Sequence, residues 1–469
     1  MACRTAEMVD APALAARAQV LRELRGDPAA EQERIAAALG LDARPGGRDE
    51  VVALSDSLGV QSSHFVVRSE RWRGRGRCAP LDPVKRPSAF VKAVPRQSLI
   101  DAAKNDLASA RARAEARARE LGMGDSAVAS AGDEAVAEAE TALANALMLV
   151  DEPSVQLERE RDVLRAWAAA EAAGELRLPP DSLLVVPRLL EETGSSRELV
   201  LVMEDLCAAG FSAQPLINSL SLEDCFAVVR ALADLHGALT RIRDRVFGGA
   251  AAAAAAALVR GRDSPLAVYR FERDLRNAIA HTRRGPPTPV IQEGVILPNY
   301  DVDLAARLEP LVDEIVAAYR DEDAGPGPRV VSHGDPWAHN MMLRRDAAGS
   351  VTGVAFFDLG GVRFAHPGED FYCFITSSTD WTVLNGNPTF ELQKAFRQRQ
   401  IENGLLPQDS KLFCLRSRFH CITTSLDWFL DIEHWKQEGL YTRRLCGVWE
   451  EAALDAHLIL KARSEGQPT

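Results

Sequence analysis

Between residues 333 and 340 the chain reads His333-Gly334-Asp335-Pro336-Trp337-Ala338-His339-Asn340. A carboxylate followed five residues later by an uncharged amide is a chemically useful pairing. Asp335 can orient a hydroxyl group and accept its proton, and Asn340 offers an oxygen suited to a hard divalent cation. Two strand-like pieces follow, residues 341–344 and 351–357, joined by the turn Asp346-Ala347-Ala348-Gly349-Ser350. The second ends at Asp358-Leu359-Gly360, so the hairpin would return Asp358 to the same cation. Phosphoryl transfer needs this kind of set, because it depends on alignment and charge neutralisation more than on covalent help. Four fixed residues at this spacing arise by chance in a chain this long with odds of roughly three in a thousand. A lone Asp or Asn is more often a turn cap. Here the linked arrangement reverses that preference.

The other half of such a site would hold a nucleotide. Lys92 sits inside the apolar run Phe90-Val91-Lys92-Ala93-Val94-Pro95, where a charge is costly unless paired. There it can hold the α- and β-phosphates of ATP if a carboxylate from a neighbouring helix steadies it. In the stretch 157–164, Leu157, Val163 and Leu164 mark an inner face, and Glu160 lies nearest to it. Glu158 is the alternative, and for either glutamate a solvated helix charge is an even competitor. The run Val200-Leu201-Val202-Met203-Glu204-Asp205-Leu206 reads as a hinge whose backbone, at Glu204 and Leu206, would bond the adenine edge. Gly59-Val60-Gln61-Ser62-Ser63 stands where a phosphate-covering loop belongs. With a single glycine, its amides and the hydroxyls of Ser62 and Ser63 would do the binding.

These residues need elements to position them. Strands are expected at 51–54, 63–68 and 89–94, then at 183–190 and 198–203. Two helices are expected over 11–40, with others over 154–173 and 222–240 and again across 388–463. Asp27-Pro28 opens the second of the first pair and Gly40 closes it. Residues 100–150 form an Ala/Arg/Glu-rich helical insertion, and the polyalanine tract near 250 and the stretch 285–289 read as loops. The expected organisation is an α+β protein of two lobes, strand-rich in front and mainly helical behind. Its divisions would be an N-terminal helical extension over 1–50, an ATP-binding lobe over 51–205 and a catalytic lobe over 206–469.

Composition narrows the class. The 469 residues carry 55 Lys+Arg against 67 Asp+Glu, a net charge of −12, which argues against nucleic acid or an anionic membrane as partner. Only seven of the basic residues are lysines, so Lys92 in a strand is conspicuous. Eight scattered cysteines with no CxxC read as reduced thiols rather than a disulfide framework or a zinc site. The longest apolar run, 250–259, is half of a membrane span. A cytoplasmic protein is expected.

Taken in order, Lys92, Glu160, Glu204-Asp205-Leu206, Leu235-His236, the HGDPWAHN run and Asp358 resemble the CHK-type, ecdysteroid-kinase-like small-molecule kinases. These are a branch of the choline kinase and aminoglycoside phosphotransferase superfamily, and the resemblance spans roughly residues 50–380. It includes Gly210-Phe211 after the hinge and the run FFDLGGVRFAHPGEDFYCFITS, with Arg363, Pro367 and Asp370. The resemblance implies a bilobal protein-kinase-like fold, Asp335 as catalytic base, Asn340 and Asp358 on Mg²⁺, and Lys92 with Glu160 at the ATP phosphates. It makes His333, His236 and Asp370 structural. The family usually has Asp-Phe-Gln where this chain has Asp358-Leu359-Gly360, which leaves the metal aspartate in place and changes what lines the pocket beside it.

The function expected is transfer of the ATP γ-phosphate to a hydroxyl of a small molecule, sterol-like, choline-like or another alcohol. Trp381, Trp428 and Trp435 are candidate lining residues for a quaternary ammonium or flat acceptor, against the commoner reading of core tryptophan. A protein kinase is disfavoured: no GxGxxG precedes Lys92, and glycine replaces arginine after His333. The alternative from another class is a nucleotide-binding pseudokinase or scaffold. It is disfavoured because all three groups at the nucleophile and metal are present.

Overall fold

A computed structural model gives the fold. It describes residues 28–41, 50–53, 63–68, 88–93, 111–119, 156–194, 199–214, 220–249, 329–379 and 387–408, with short pieces at 123–124, 128–130, 136, 276, 291–292, 295–296, 309–313, 316–317 and 383. In chain order the principal elements begin with α1 (Pro28–Ala38), β1 (Glu50–Ala53), β2 (Ser63–Arg68) and β3 (Ser88–Ala93). Next come α2 (156–172), β4 (Leu184–Val185), β5 (Leu189–Thr193), β6 (Val200–Glu204), β7 (Phe211–Ala213) and α3 (Leu222–Arg241). A two-residue ladder of β8 (Ile291–Gln292) and β9 (Val295–Ile296) precedes β10 (Val330–Ser332), β11 (Met341–Arg345), β12 (Val351–Phe356) and β13 (Arg363–Ala365). Helices α4 (Pro367–Ser378) and α5 (Asn387–Glu402) complete the series. The class is α+β.

The chain divides into two compact units, one of residues 1–164 and 187–209, the other of 165–186 and 210–469. The first is built on a five-stranded antiparallel sheet in the order β1-β2-β3-β6-β5. Alternation along β3 sends Ala89, Val91 and Ala93 to one face. There they pack with Val200 and Val202 of β6 and with Ile35 and Leu39 of α1. The same alternation turns Lys92 to the opposite face. Helix α1 ends as Gly40 enters the left-handed region at φ 60°, which lets the Leu41 N–H bond Ala36 O at 2.8 Å.

In the second unit α3 is the central support. Ser221 caps it by accepting the Asp224 N–H, and Cys225, Val228, Val229, Leu232, Leu235 and Leu239 form its buried stripe. Each leucine so buried contributes about 1.5–3 kcal/mol. Against α3 lie α5 and β10, and a four-stranded sheet β4-β12-β11-β7 completes the layer.

One expectation changes. Residues 183–190 are not a single strand but two: β4 runs parallel to β12 in one sheet, and β5 pairs antiparallel with β6 in the other. Pro187 separates them, since it supplies no N–H to a ladder and restricts the residue before it. The short strands β7 and β13 were not expected. The loop residue Ser62, the tracts near 250 and at 285–289, the three tryptophans and the chain beyond 408 lie outside the described residues.

Candidate active site

The register of the β11–β12 hairpin builds the site. Met341 faces Phe356, and the pairing continues outward to Arg344 and Gly353. One step beyond the ladder the Phe357 N–H donates to Asn340 O at 3.1 Å, which sets Asn340 beside the residue preceding Asp358. At the far end Asp346 Oδ1 accepts the N–H groups of Ala348 and Ser350, both at 2.9 Å, and Gly349 takes φ 89°. The turn chemistry therefore fixes which residue meets which at the open end.

Asn340 is buried and ends the 3-10 turn Ala338–Asn340. Its amide nitrogen donates to Asp335 O at 2.9 Å and to Asp335 Oδ2 at 3.0 Å. With nitrogen so used, Oδ1 is the atom left for a cation. Asp358 has φ 59°, the only positive φ of a non-glycine residue among those described. An aspartate tolerates this conformation at a cost, and residues held there cluster at functional sites.

Asp335 combines exposure with crowding. The residue is exposed, yet protein packed around it, the charge of Asp358 and, more weakly, Asp370 push its pKa up to about 7, against the opposing Arg363 guanidinium and the Asn340 hydrogen bond. Because water reaches the side chain, solvation moderates the first of these causes. The Asp358 carboxylate raises it as well, so the direction is upward.

The loop before Asp335 is held from beneath. His333 is fully buried, and burial lowers its pKa. Its Nδ1 accepts the Asp335 N–H at 3.2 Å, so Nε2 carries the proton donated to Phe357 O at 3.0 Å. One imidazole thus ties the Asp335 segment to the Asp358 segment. Asp370, on α4, accepts the N–H groups of His333 at 2.6 Å and Gly334 at 3.0 Å, and faces His236 Nε2 at 2.8 Å. Burial alone would raise its pKa, but the His236 bond, with nearby positive charge including Arg363, outweighs it and lowers the value to about 2. Asp370 is therefore a permanent acceptor. Arg363 donates from Nη1 to Gly334 O at 3.0 Å, and Gly334 has φ 90° with no room for a side chain.

In the first unit, Lys92 Nζ meets Glu160 Oε2 at 2.9 Å, with both residues buried. Glu160, not Glu158, is the helix residue that reaches this lysine. At the end of β6 the Glu204 N–H donates to Arg188 O at 2.9 Å, and Asp205 Oδ1 accepts the Cys207 N–H at 2.9 Å, turning the chain. Leu206 is buried, and Ser63 opens β2 opposite Ala93. The sequence signalled neither Gln400, whose Nε2 lies 2.8 Å from His236 Nδ1, nor Ser378, whose Oγ accepts the Ala338 N–H. Their contacts span 164 and 40 residues, beyond any local pattern.

A family model, that of the ecdysteroid kinase-like family, matches residues 180–391. This segment is similar to that family. It carries Glu204–Leu206, His236, Asp335, Asn340, Asp358 and Asp370. Lys92 and Glu160 lie outside it, and their pairing is read from geometry alone. No curated protein matches the chain. Among solved structures, a microcompartment-associated aminopropanol kinase is 13% identical, with 93% of this chain and 98% of that one covered at a TM-score of 0.44. A Plasmodium vivax ethanolamine kinase is 10% identical over 87% of this chain and 82% of that one at 0.40. A choline kinase from Cryptosporidium parvum is 10% identical over 89% and 91% at 0.39.

Proposed function

We propose that the protein transfers the γ-phosphate of ATP to a hydroxyl of a small-molecule alcohol, with Mg²⁺ as the metal. The supporting observation is the clustering of Asp335, Asn340 and Asp358. Asn340 bonds Asp335 directly, its backbone carbonyl accepts the N–H of Phe357, and the charge of Asp358 is felt at Asp335.

The donor set suits the metal. An amide oxygen and a carboxylate are hard ligands, and Mg²⁺ is usually held by one or two such groups together with phosphate oxygens and water. No group of three or more His, Cys, Asp or Glu able to hold a metal ion occurs among the described residues, so the fit is to this shared kind of site and not to an all-protein cage. Bound there, Mg²⁺ would neutralise phosphate charge during transfer.

The chain's own groups do the rest. Lys92, steadied by Glu160, holds the nucleotide phosphates; Ser62 and Ser63 cover them, and the Glu204–Leu206 backbone reads the adenine edge. Asp335 orients the acceptor hydroxyl and takes its proton as the oxygen bonds to the γ-phosphorus. The bond from that phosphorus to the β–γ bridging oxygen breaks, and ADP leaves. A pKa near neutrality suits a group that must accept a proton and later release it.

The deciding experiment incubates the protein with [γ-³²P]ATP, Mg²⁺ and a fractionated small-molecule extract. Label should pass to a soluble metabolite with wild-type protein and not with Asp358→Ala, which should also lose Mg²⁺-dependent thermal stabilisation by ATP. Nucleotide binding without transfer to any fraction would instead favour the pseudokinase reading.

A further inference from the structure

The turn ending on Asn340 is gripped from the side by α4. The first N–H groups of the Ala338–Asn340 turn have no partner inside it, and the N-cap residue, Trp337, supplies no side-chain capping bond to them. The Ala338 N–H donates instead to Ser378 Oγ at 2.8 Å. Ser378 Oγ lies 3.0 Å from Ser377 Oγ, and Ser377 donates its hydrogen to Cys373 O at 2.6 Å. A serine hydroxyl has a single hydrogen. With that of Ser377 used on Cys373, the hydrogen between the two hydroxyls comes from Ser378. The bonds then run one way: Ala338 N–H to Ser378, Ser378 O–H to Ser377, Ser377 O–H to the Cys373 carbonyl. All four residues are buried, and in a dry chain of this kind each bond polarises the next.

Serines near a helix end often bond back to the carbonyl one turn earlier, which is how Ser377 and Thr379 behave. Ser378 does not. Its hydroxyl faces the loop, between the loop amide and its neighbour's oxygen. Asp370 stands about two turns earlier on the same helix, roughly 12 Å away along the axis. It binds the amides of His333 and Gly334. One helix therefore holds both ends of the segment 333–340, Asp370 the beginning and Ser378 the end.

We propose that Ser378, backed by Ser377, is a positioning residue for Asn340. The hydroxyl relay locks the turn from which Asn340 directs its amide nitrogen to Asp335 and presents its oxygen to the cation. The consequence at the cation rests on the proposed function; the relay itself does not.

Two readouts test this on the full chain, using wild type, Ser377→Ala, Ser378→Ala and the double variant. The first is hydrogen exchange at the Ala338 amide, followed by NMR. The second is the Mg²⁺ concentration giving half-maximal stabilisation by ADP in a thermal shift. Ser378→Ala should speed exchange about tenfold and Ser377→Ala about threefold, as expected for losing one buried hydrogen bond and weakening another. The double variant should exchange no faster than Ser378→Ala alone, because the Ser377 contribution acts through Ser378. The Mg²⁺ requirement should rise severalfold in Ser378→Ala, with metal-free ADP binding unchanged. Unchanged exchange, additive effects, or faster exchange with an unchanged Mg²⁺ requirement would each overturn the proposal. Should Ser378→Ala not fold, unchanged Ala338 exchange in Ser377→Ala is enough to overturn it. Absence of any Mg²⁺ effect in wild type would count against the proposed function, while the exchange rates would still judge the relay.

Discussion

At the scale of single residues, the distinctive group is a carboxyl whose pKa rises on folding. Asp335 is moved from an ordinary 3.8 to about 7, chiefly by crowding and by Asp358. An acid held above its unfolded value binds its proton more tightly when folded. Its favourable contribution is thus present at low pH and is lost as pH climbs from 3.8 toward about 7. Asp335→Asn cannot ionise and should escape that loss. In metal-free buffer the variant should melt higher than wild type at pH 8, and the difference should vanish near pH 4. Catalysis should respond in the opposite sense. A general base is worth about 10²–10⁴-fold, so turnover should fall by a factor in that range while Mg·ATP still stabilises the fold. Steady-state kinetics and thermal melts on one preparation check both; a variant with wild-type turnover would remove Asp335 from the mechanism.

At the scale of elements, the site depends on close approach and on pairing between segments. A Cβ on Gly334 would sit 2.1 Å from Gly361 O, and the backbone there has φ 90°. Gly349, in the hairpin turn, has a similar φ of 89° with open space around it. Gly334→Ala should therefore destabilise by well over 2 kcal/mol and abolish activity, whereas Gly349→Ala should cost only about 1 kcal/mol, the strain term alone. Urea denaturation separates the two. The β3–α2 contact makes a second comparison. Removing the cation from the buried Lys92–Glu160 pair leaves a buried carboxylate, so Lys92→Met should cost about 3–5 kcal/mol as well as nucleotide affinity. Lys92→Met with Glu160→Gln should recover much of the stability and none of the affinity, as read by denaturation and ADP titration.

At the scale of the whole molecule, distant stretches of chain are joined by a polar seam whose centre, Arg399, Asp234 and Asn403, is buried. Arg399 on α5 makes two bonds to Asp234 on α3, at 2.7 and 3.0 Å, and reaches Asp181 at 2.8 Å and Glu402 at 3.2 Å. Asn403 adds a bond to Asp234 and packs against Gly237, where a Cβ would come within 3.1 Å. The seam brings residues 165 and 218 positions apart in sequence into contact. Arg399→Met would strand Asp234, which is buried, at a cost of about 3–5 kcal/mol. Calorimetry should show the second unit melting several degrees earlier; an unchanged melt would mean that the seam is dispensable. Among the described residues no helix is long and apolar enough to cross a membrane.

Much of the proposed site lies in residues close together along the chain, and for that reason its local arrangement could be read directly. Five residues from Asp335 to Asn340, a hairpin punctuated by Asp346 and Gly349, and an aspartate at its end are local facts governed by turn chemistry and the two-residue strand period. Lys92 was equally legible, because alternation along β3 separates it from the apolar face that packs on α1. Four features were settled only in three dimensions. Glu158 and Glu160 stand two residues apart on one helix and point about 200° away from each other, and packing chooses the one that meets a lysine 68 positions away. The left-handed backbone of Asp358 reflects what surrounds it, since aspartate does not require that conformation. The break at Pro187 was visible as a residue, but its two halves pair with strands distant in sequence. Asp370 and Ser378 hold the loop through backbone amides, which every residue possesses, so no side-chain pattern marks the contact before the chain has folded.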